Sequence, residues 1–266
     1  MRNISNNTIK ILSFDIDNTL IDLETLQTGF SAIWQEFPPR SDVVLTYNTG
    51  RLYDDVIGLI QRHIIPAPDF IVGGVGTHIY DYRNETVLNE FEKVLQEGWN
   101  LELVEKIVSD LPYEIAGQPA EYQHAFKRSF FLENAQPEEI RNIEDIFSAS
   151  ELEVNIVYSG NKYLDILPKW ANKGNALAWL LDFLKTGTEK ALVAGDSGND
   201  LAMFNLEGIN GIIVGNAEQD LAQRINSPNL YQARRQKYAG VVEGLVHFNV
   251  ISKEALTKID QNGKIK

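Results

Sequence analysis

The sequence predicts an α/β fold: a parallel-sheet core in two segments, residues 1–84 and 169–266, with an α+β block inserted at 85–168. Three observations carry this. Short apolar runs alternate with amphipathic helical stretches at both ends of the chain, the pattern of strands covered by helices on both faces. The middle breaks that rhythm, and its roughly 80 residues suffice for a small unit of its own. Polar residues suited to chemistry fall repeatedly where predicted strands end, which is where open parallel sheets form their ligand crevice.

In chain order, Ile9 to Phe14 reads as a buried strand and Val43 to Tyr47 as a second. Leu52 to His63 reads as a helix with Leu52, Val56, Leu59 and Ile60 on one side; Asp54 and Asp55 in its first turn suit the helix dipole. Phe70-Ile71-Val72 is a third strand, closed by Gly73-Gly74-Val75-Gly76. Asn84 to Asn100 is polar and weakly periodic. Leu101 to Asp110 reads as a helix and Arg128 to Leu132 as a strand. Pro137-Glu138-Glu139 opens a helix with proline in its favoured first turn, and Ile140, Ile143 and Phe147 form its apolar side. Glu153 to Tyr158, the turn Ser159-Gly160-Asn161, and Tyr163 to Leu167 read as a hairpin. After Pro168 the first rhythm resumes. It gives a helix from Ala176 to Leu184 stopped by Thr186-Gly187, strands Ala191 to Ala194 and Gly211 to Val214, and a closing helix, Val241 to Phe248. Trp99, Trp170 and Trp179 are expected in the core or between the two units.

Composition narrows the function. Hydrophobic residues make up 44% and the formal net charge is -13. A full core is therefore possible, and the acidic balance argues against a nucleic-acid partner. There is no cysteine, which removes disulfides and thiolate metal sites. No run of about 18 apolar residues exists to span a membrane. Met1 to Lys10 lacks the apolar stretch of a leader. A cytoplasmic location is expected; no oligomeric state is fixed by the sequence.

Asp15-Ile16-Asp17-Asn18-Thr19 follows the first strand. Residues i and i+2 of an extended chain share a face, so two carboxylates point one way. They suit a nucleophile with an acid/base partner, a metal site, or simply an acidic loop. Thr49-Gly50-Arg51 follows the second strand; its hydroxyl and glycine suit a phosphate oxygen, and threonine also suits a helix cap. Lys173-Gly174-Asn175 opens a helix, where lysine opposes the dipole unless an anion sits between them; a solvated side chain is the other reading. Gly195-Asp196-Ser197-Gly198-Asn199-Asp200 brings two more carboxylates to a strand end, or forms a tight turn. Carboxylates without cysteine or clustered histidine favour a hard cation, Mg²⁺ first. Other patterns fail: Gly195 to Gly198 lacks G-x-S-x-G spacing, Leu20 stands where a calcium loop needs glycine, and Gly73 to Gly76 lacks dinucleotide-site spacing. The histidines at 63, 78, 124 and 247 show no ligand spacing, although His78 and His124 are candidates for the cleft.

Together, Asp15-x-Asp17-x-Thr19, Thr49-Gly50-Arg51, Lys173 and Gly195-Asp196-x-x-Asn199-Asp200 resemble, in order and spacing, the four motifs of the haloacid dehalogenase superfamily of phosphatases. The long insertion resembles the large α/β cap of one of its subclasses. The resemblance implies a Rossmann-like core with an inserted cap. Within the superfamily the sequence is similar to sucrose-phosphate and mannosylfructose-phosphate phosphatases through Tyr47 to Leu52, Gly74 to Tyr80, Leu164 to Pro168, Asn172 to Ala176 and Gly195 to Asp200. Phe126-Lys127-Arg128-Ser129 partly resembles their sugar-contacting cap segment. Plant relatives carry a further C-terminal domain, for which this length leaves no room.

The resemblance implies that Asp15 attacks phosphorus and becomes an aspartyl-phosphate, while Asp17 protonates the leaving sugar oxygen and then deprotonates water. It implies Thr49 and Lys173 on the phosphoryl oxygens, with Gly50, Arg51 and Asn199 beside them. Mg²⁺ would be held by Asp15, Asp196 and the Asp17 carbonyl, with Asp200 on the metal or just behind it. Lys127, Arg128, Asp165 and His124 would contact sugar. The expected substrate is a small-molecule sugar phosphate, foremost a disaccharide phosphate. Other readings are a phosphatase for another sugar or polyol phosphate, a phosphosugar mutase, or a phosphosugar sensor without catalysis.

Overall fold

The computed structural model describes residues 8–22, 25–26, 29–150, 152–225, 227–260 and 263–266. The predicted absence of a leader therefore concerns residues that lie mostly outside the description. Two sheets organise the chain, as expected for an α/β core carrying an inserted α+β cap.

The first half of the core runs β1 (Ile11–Phe14), α1 (Gly29–Glu36), β2 (Val44–Asn48), α2 (Tyr53–Gln61) and β3 (Phe70–Gly73). All four residues of β1 are buried, because helices cover both faces of the sheet. The chain then folds back antiparallel through β4 (His78–Asp81) and β5 (Thr86–Val87). The second half runs α6 (Lys173–Phe183), β10 (Ala191–Gly195), α7 (Leu201–Phe204), β11 (Asn210–Ile213), α8 (Leu221–Arg224), β12 (Leu230–Gln232) and α9 (Lys237–His247). The strand order is β12-β11-β10-β1-β2-β3-β4-β5. The chain thus leaves β1 toward β2, and after the insertion it returns on the other side of β1 at β10. That reversal is the switch point at which such sheets open a crevice.

Between the halves lie α3 (Asn89–Gln96), α4 (Leu101–Ser109), β6 (Ala116–Gly117), β7 (Arg128–Phe131), α5 (Pro137–Ala149), β8 (Val154–Ser159) and β9 (Tyr163–Pro168). The four strands form an antiparallel sheet in the order β6-β7-β9-β8. Alternation decides its faces. Leu164, Ile166, Ile156 and Tyr158 pack with Val104, Val108, Ile143 and Phe147 of the two helices. Asn155, Val157, Ser159 and Asp165 alternate with them and so lie on the opposite face. α3 packs elsewhere: Phe91 and Leu95 join Val72, Ile79, Ala176 and Leu180 against the core sheet.

Several expectations need correction. The polar stretch Asn84 to Asn100 holds both β5 and α3. Its helix buries only Phe91 and Leu95, a single i, i+4 pair, so its period is faint. α9 begins at Lys237, four residues earlier than its apolar run, and α1 went unread. Trp170 is not a core residue: it is 57% exposed, at the return from β9 to α6. Trp179, by contrast, packs as expected against Phe91 of α3 and the core cluster, and it also stacks on the exposed Phe183.

Candidate active site

The tips of β1 and β10 meet at the switch point. Phe14 is in register with Ala194, and the Asp15 amide donates to the Ala194 carbonyl at 3.0 Å. This puts Asp15 and Asp196 side by side, and the Thr19 hydroxyl bridges them at 3.3 and 3.2 Å. Asp200 completes the group: ligand oxygens of Asp15, Asp196 and Asp200 lie within 4.8 Å of one another. Close packing requires Gly195, since a Cβ there would strike the Asp200 carboxylate.

Lys173 begins α6, where Asn172 caps the helix by accepting the Asn175 amide at 2.8 Å. Its side chain is fully buried, so the solvated reading fails. The ammonium donates to Asp15 Oδ1 at 2.7 Å, Asp200 Oδ1 at 2.6 Å and Asn199 Oδ1 at 3.1 Å. The anions that reconcile lysine with the helix terminus are the protein's own carboxylates. Asn48 locks this helix start to the sheet, donating to the Lys173 carbonyl at 2.9 Å. Asp200 also accepts the amides of Asp196 and Ser197, at 3.0 and 3.1 Å, so both its oxygens are engaged.

Burial and crowding set the charges. For Asp15, burial pushes the carboxyl well above its ordinary value; Asp200, Asp196 and Asp17 add to this while Lys173 opposes it. Burial, then Asp200, push Asp196 up to about 7, against the pull of Lys173. Burial alone would depress Lys173, but Asp15 and Asp200 raise it further, so it stays an ammonium. Three carboxylates face one ammonium, an excess equal to the charge of one divalent cation. With all-oxygen donors, the set fits Mg²⁺.

Metal removal makes this testable. A carboxyl with a raised folded pKa stabilises below its unfolded value and loses that contribution as pH rises through the folded value. For Asp196 the window runs from the ordinary carboxylate range to about 7. Buried His78, pushed down to about 3 by burial, then His124 and Lys127, works in the opposite sense, gaining stability as pH rises. A difference measurement removes the histidine. In EDTA, the Tm of Asp196→Asn relative to wild type should rise as pH goes from 5 to 7.5. Saturating Mg²⁺ should stabilise wild type more than the variant. A Tm difference independent of pH would sink this assignment.

The Thr49 hydroxyl does not cap α2, whose N-cap is Leu52. It accepts the Arg51 amide at 3.2 Å, leaving its own proton free to donate. The loop Gly73 to Thr77 backs this turn: the amides of Gly74 and Val75 donate to the carbonyls of Arg51 and Thr49. Val75 pays for its place with a φ of 60°, rare for a β-branched residue. Arg51 grips Asp17 through two hydrogen bonds, 2.8 Å from Nε and 2.7 Å from Nη2, and reaches Asp55 at 2.5 Å.

A cleft of about 1050 Å³ opens over these groups, lined by Asp15, Asp17, Gly50, Asp196 and Asn199 on the core side. The β8–β9 hairpin forms the other wall, with Asn155, Ser159, Asn161 and Tyr163. Sequence reasoning found the hairpin but not its role; the alternation of Asn155, Val157 and Ser159 was the available signal. The four expected sugar contacts are not among the residues lining this cleft. Lys127 pairs with Asp165 at 3.0 Å and reaches the Gly50 carbonyl at 3.5 Å; Ser129 donates to Asp165 at 2.6 Å. His124 lies against His78, ring centroids 4.9 Å apart. Arg128 turns to Glu105 at 2.7 Å and to the His124 carbonyl. Also unforeseen is Asn216, which donates to the Asn18 carbonyl and accepts the Lys237 amide, tying the Asp15 loop to α9.

The chain matches the profile of the Sucrose-6F-phosphate phosphohydrolase family over residues 8–249. It is 37% identical to the mannosylfructose-phosphate phosphatase of Agrobacterium fabrum, over 91% of its own length and 98% of that protein's. It is 32% identical to sucrose-phosphatase 2 of Nicotiana tabacum over 89% of its own length, but spans 58% of that longer chain. Among solved structures, the sucrose-phosphatase of Synechocystis sp., in complex with sucrose and phosphate, has a TM-score of 0.80 at 27% identity, covering 92% of this chain and 100% of that one. A haloalkanoate-superfamily phosphatase from Bacteroides thetaiotaomicron, at 17% identity and a TM-score of 0.64 over 94% of this chain and 99% of that one, shares the fold.

Proposed function

The chain belongs to the Sucrose-6F-phosphate phosphohydrolase family and is a sugar-phosphate phosphatase, and we propose that it hydrolyses a disaccharide phosphate with Mg²⁺ through an aspartyl-phosphate on Asp15. One observation carries the finer reading. The cluster of Asp15, Asp196, Asp200 and Lys173 meets, through Asp15 and Asp196, a cleft of about 1050 Å³ whose far wall is uncharged and offers Asn155, Ser159, Asn161 and Tyr163 beside Ile156 and Val157. That volume matches the upper end of small-molecule pockets, about 300–1000 Å³, and leaves room for two sugar rings.

In the proposed mechanism a carboxylate oxygen of Asp15 attacks phosphorus while Asp17, on the same strand end, protonates the departing sugar oxygen. Asp17 then takes a proton from the water that cleaves the aspartyl-phosphate. Lys173, fixed among Asp15, Asp200 and Asn199, and the free hydroxyl proton of Thr49 hold the phosphoryl oxygens. Asp15, Asp196 and the Asp17 carbonyl would hold Mg²⁺, with Asp200 orienting Lys173 and the Asp196 amide. The cation supplies charge neutralisation and Lewis acidity. Asn155, Ser159, Asn161 and Tyr163 of the cap face the sugar, while Lys127, paired with Asp165, reaches the Gly50 carbonyl. We place the enzyme in the cytoplasm; among the described residues no helix is long and apolar enough to cross a membrane.

The test is phosphate release from mannosylfructose-phosphate, sucrose 6-phosphate, trehalose 6-phosphate and simple hexose phosphates, with Mg²⁺ and with EDTA. A disaccharide phosphate should lead in kcat/KM, and EDTA should abolish turnover. A hexose phosphate in the lead would overturn the substrate reading. Isomerised phosphosugar without free phosphate would mean a mutase.

A further inference from the structure

We propose that Arg51 is a positioning residue that acts through Asp17, rather than a ligand of the phosphate. This rests on the reading of Asp17 as the proton carrier. Arg51 lies 2.8 Å (Nε) and 2.7 Å (Nη2) from the two oxygens of Asp17, a side-on fork that fixes the carboxylate plane. Its Nη1 is 2.5 Å from Asp55 in the first turn of α2. The guanidinium is thus strung between two carboxylates. The edge that would fork a phosphate is already taken, and its charge is matched twice over. The backbone is held too: the Arg51 amide donates to the Thr49 hydroxyl, and its carbonyl accepts the Gly74 amide at 2.8 Å.

Asp17 needs such support. Its side chain is 28% exposed, unlike the buried Asp15 and Asp200, so packing alone does not fix its rotamer. Each oxygen of Asp17 keeps a second lone pair beyond the one facing Arg51. The proton can therefore travel without breaking the fork. In the first step the Asp15–phosphorus bond forms, the bond from phosphorus to the sugar oxygen breaks, and the Asp17 proton goes to that oxygen. In the second, the water–phosphorus bond forms, the Asp15–phosphorus bond breaks, and the water proton goes to Asp17. Both steps need Asp17 held over the reaction axis, which is what the Arg51–Asp55 brace provides.

The experiment compares leaving groups. A sugar alkoxide must be protonated as it leaves, whereas p-nitrophenolate leaves without a proton at neutral pH. Because kcat/KM reports only the steps through phosphoenzyme formation, a defect confined to Asp17 should spare kcat/KM for p-nitrophenyl phosphate. Arg51→Ala should lose about 100-fold in kcat/KM for sucrose 6-phosphate or mannosylfructose-phosphate, whichever wild type prefers, and about 5-fold or less for p-nitrophenyl phosphate. It should also show a burst of p-nitrophenol before slow turnover, as water activation lags. Arg51→Lys, lacking the fork, should recover only part of the loss. Adding Arg51→Ala to Asp17→Asn should cost no more than about 3-fold further, since both act through one group. Equal losses on both substrates for Arg51→Ala would make it a phosphate ligand or a purely structural residue; no loss on either would make it idle. Either result overturns the proposal. Equal losses on both substrates for Asp17→Asn would instead overturn the reading of Asp17, so the two failures are distinguishable.

Discussion

Replacing Asp15 with asparagine lowers phosphate release from the preferred sugar phosphate by at least about 10⁴-fold, the scale of losing a nucleophile that works as part of a unit. The substitution preserves shape and the Thr19 contact but removes the attacking oxygen's charge. Asp15 is 4% exposed: burial pushes its carboxyl up, and against the pull of Lys173 the charges of Asp200, Asp196 and Asp17 push it further. Neutralising it therefore relieves repulsion, while Lys173 keeps its bond to Asp200 at 2.6 Å. The variant should fold, with a Tm in EDTA no lower than wild type, so the loss belongs to chemistry. Mass spectrometry of acid-quenched wild type should find phosphate on the peptide holding Asp15, and none in the variant. Residual turnover above one part in a thousand, or phosphate on another peptide, would sink the assignment.

The parallel core was legible in the sequence because its strands are buried on both faces and so read as unbroken apolar runs; β1 and β10 are such cases. Its four motifs were legible for a related reason. Three of them, at positions 15, 49 and 196, follow the ends of core strands, and Lys173 joins them from the start of α6. What the sequence hid depends on three-dimensional direction. Lys173 looked like a phosphate ligand or a solvated lysine, and only the fold puts it between Asp15 and Asp200. Arg51 stood beside Thr49 in the chain, yet its long side chain turns to Asp17. Nor does the sequence show that Lys127 and Asp165, expected to contact sugar, pair with each other at 3.0 Å while Lys127 reaches the Gly50 carbonyl. The hairpin facing the cleft presents asparagine, serine and tyrosine, residues that composition alone treats as ordinary turn and edge material. α3 was hidden because a single buried pair does not make a period.

Lys173→Met should have the largest combined effect on stability and activity. The ammonium is fully buried and pairs with Asp15 at 2.7 Å and Asp200 at 2.6 Å. Methionine keeps much of the volume but leaves two carboxylates buried without their cation. Removing one partner of a buried pair costs about 3–5 kcal/mol, because the remaining charge is left uncompensated. The sign with pH follows from which groups remain. Burial raises the carboxyls of Asp15 and Asp196 while Lys173 draws them down; without it both rise further, and the folded state binds protons that the unfolded chain does not. Stability of the metal-free variant should therefore fall as pH rises from 5 to 8, more steeply than wild type, and its urea midpoint should recover partly at pH 5. Saturating Mg²⁺ should restore part of the midpoint at pH 8 by replacing the missing positive charge, yet turnover should stay at least about 10³-fold low, because the donor proposed for the phosphoryl oxygens is gone. Restored folding without restored turnover separates the two roles of one side chain. A variant as stable and as active as wild type at pH 8 would mean that Lys173 neither balances the carboxylates nor holds the phosphoryl group.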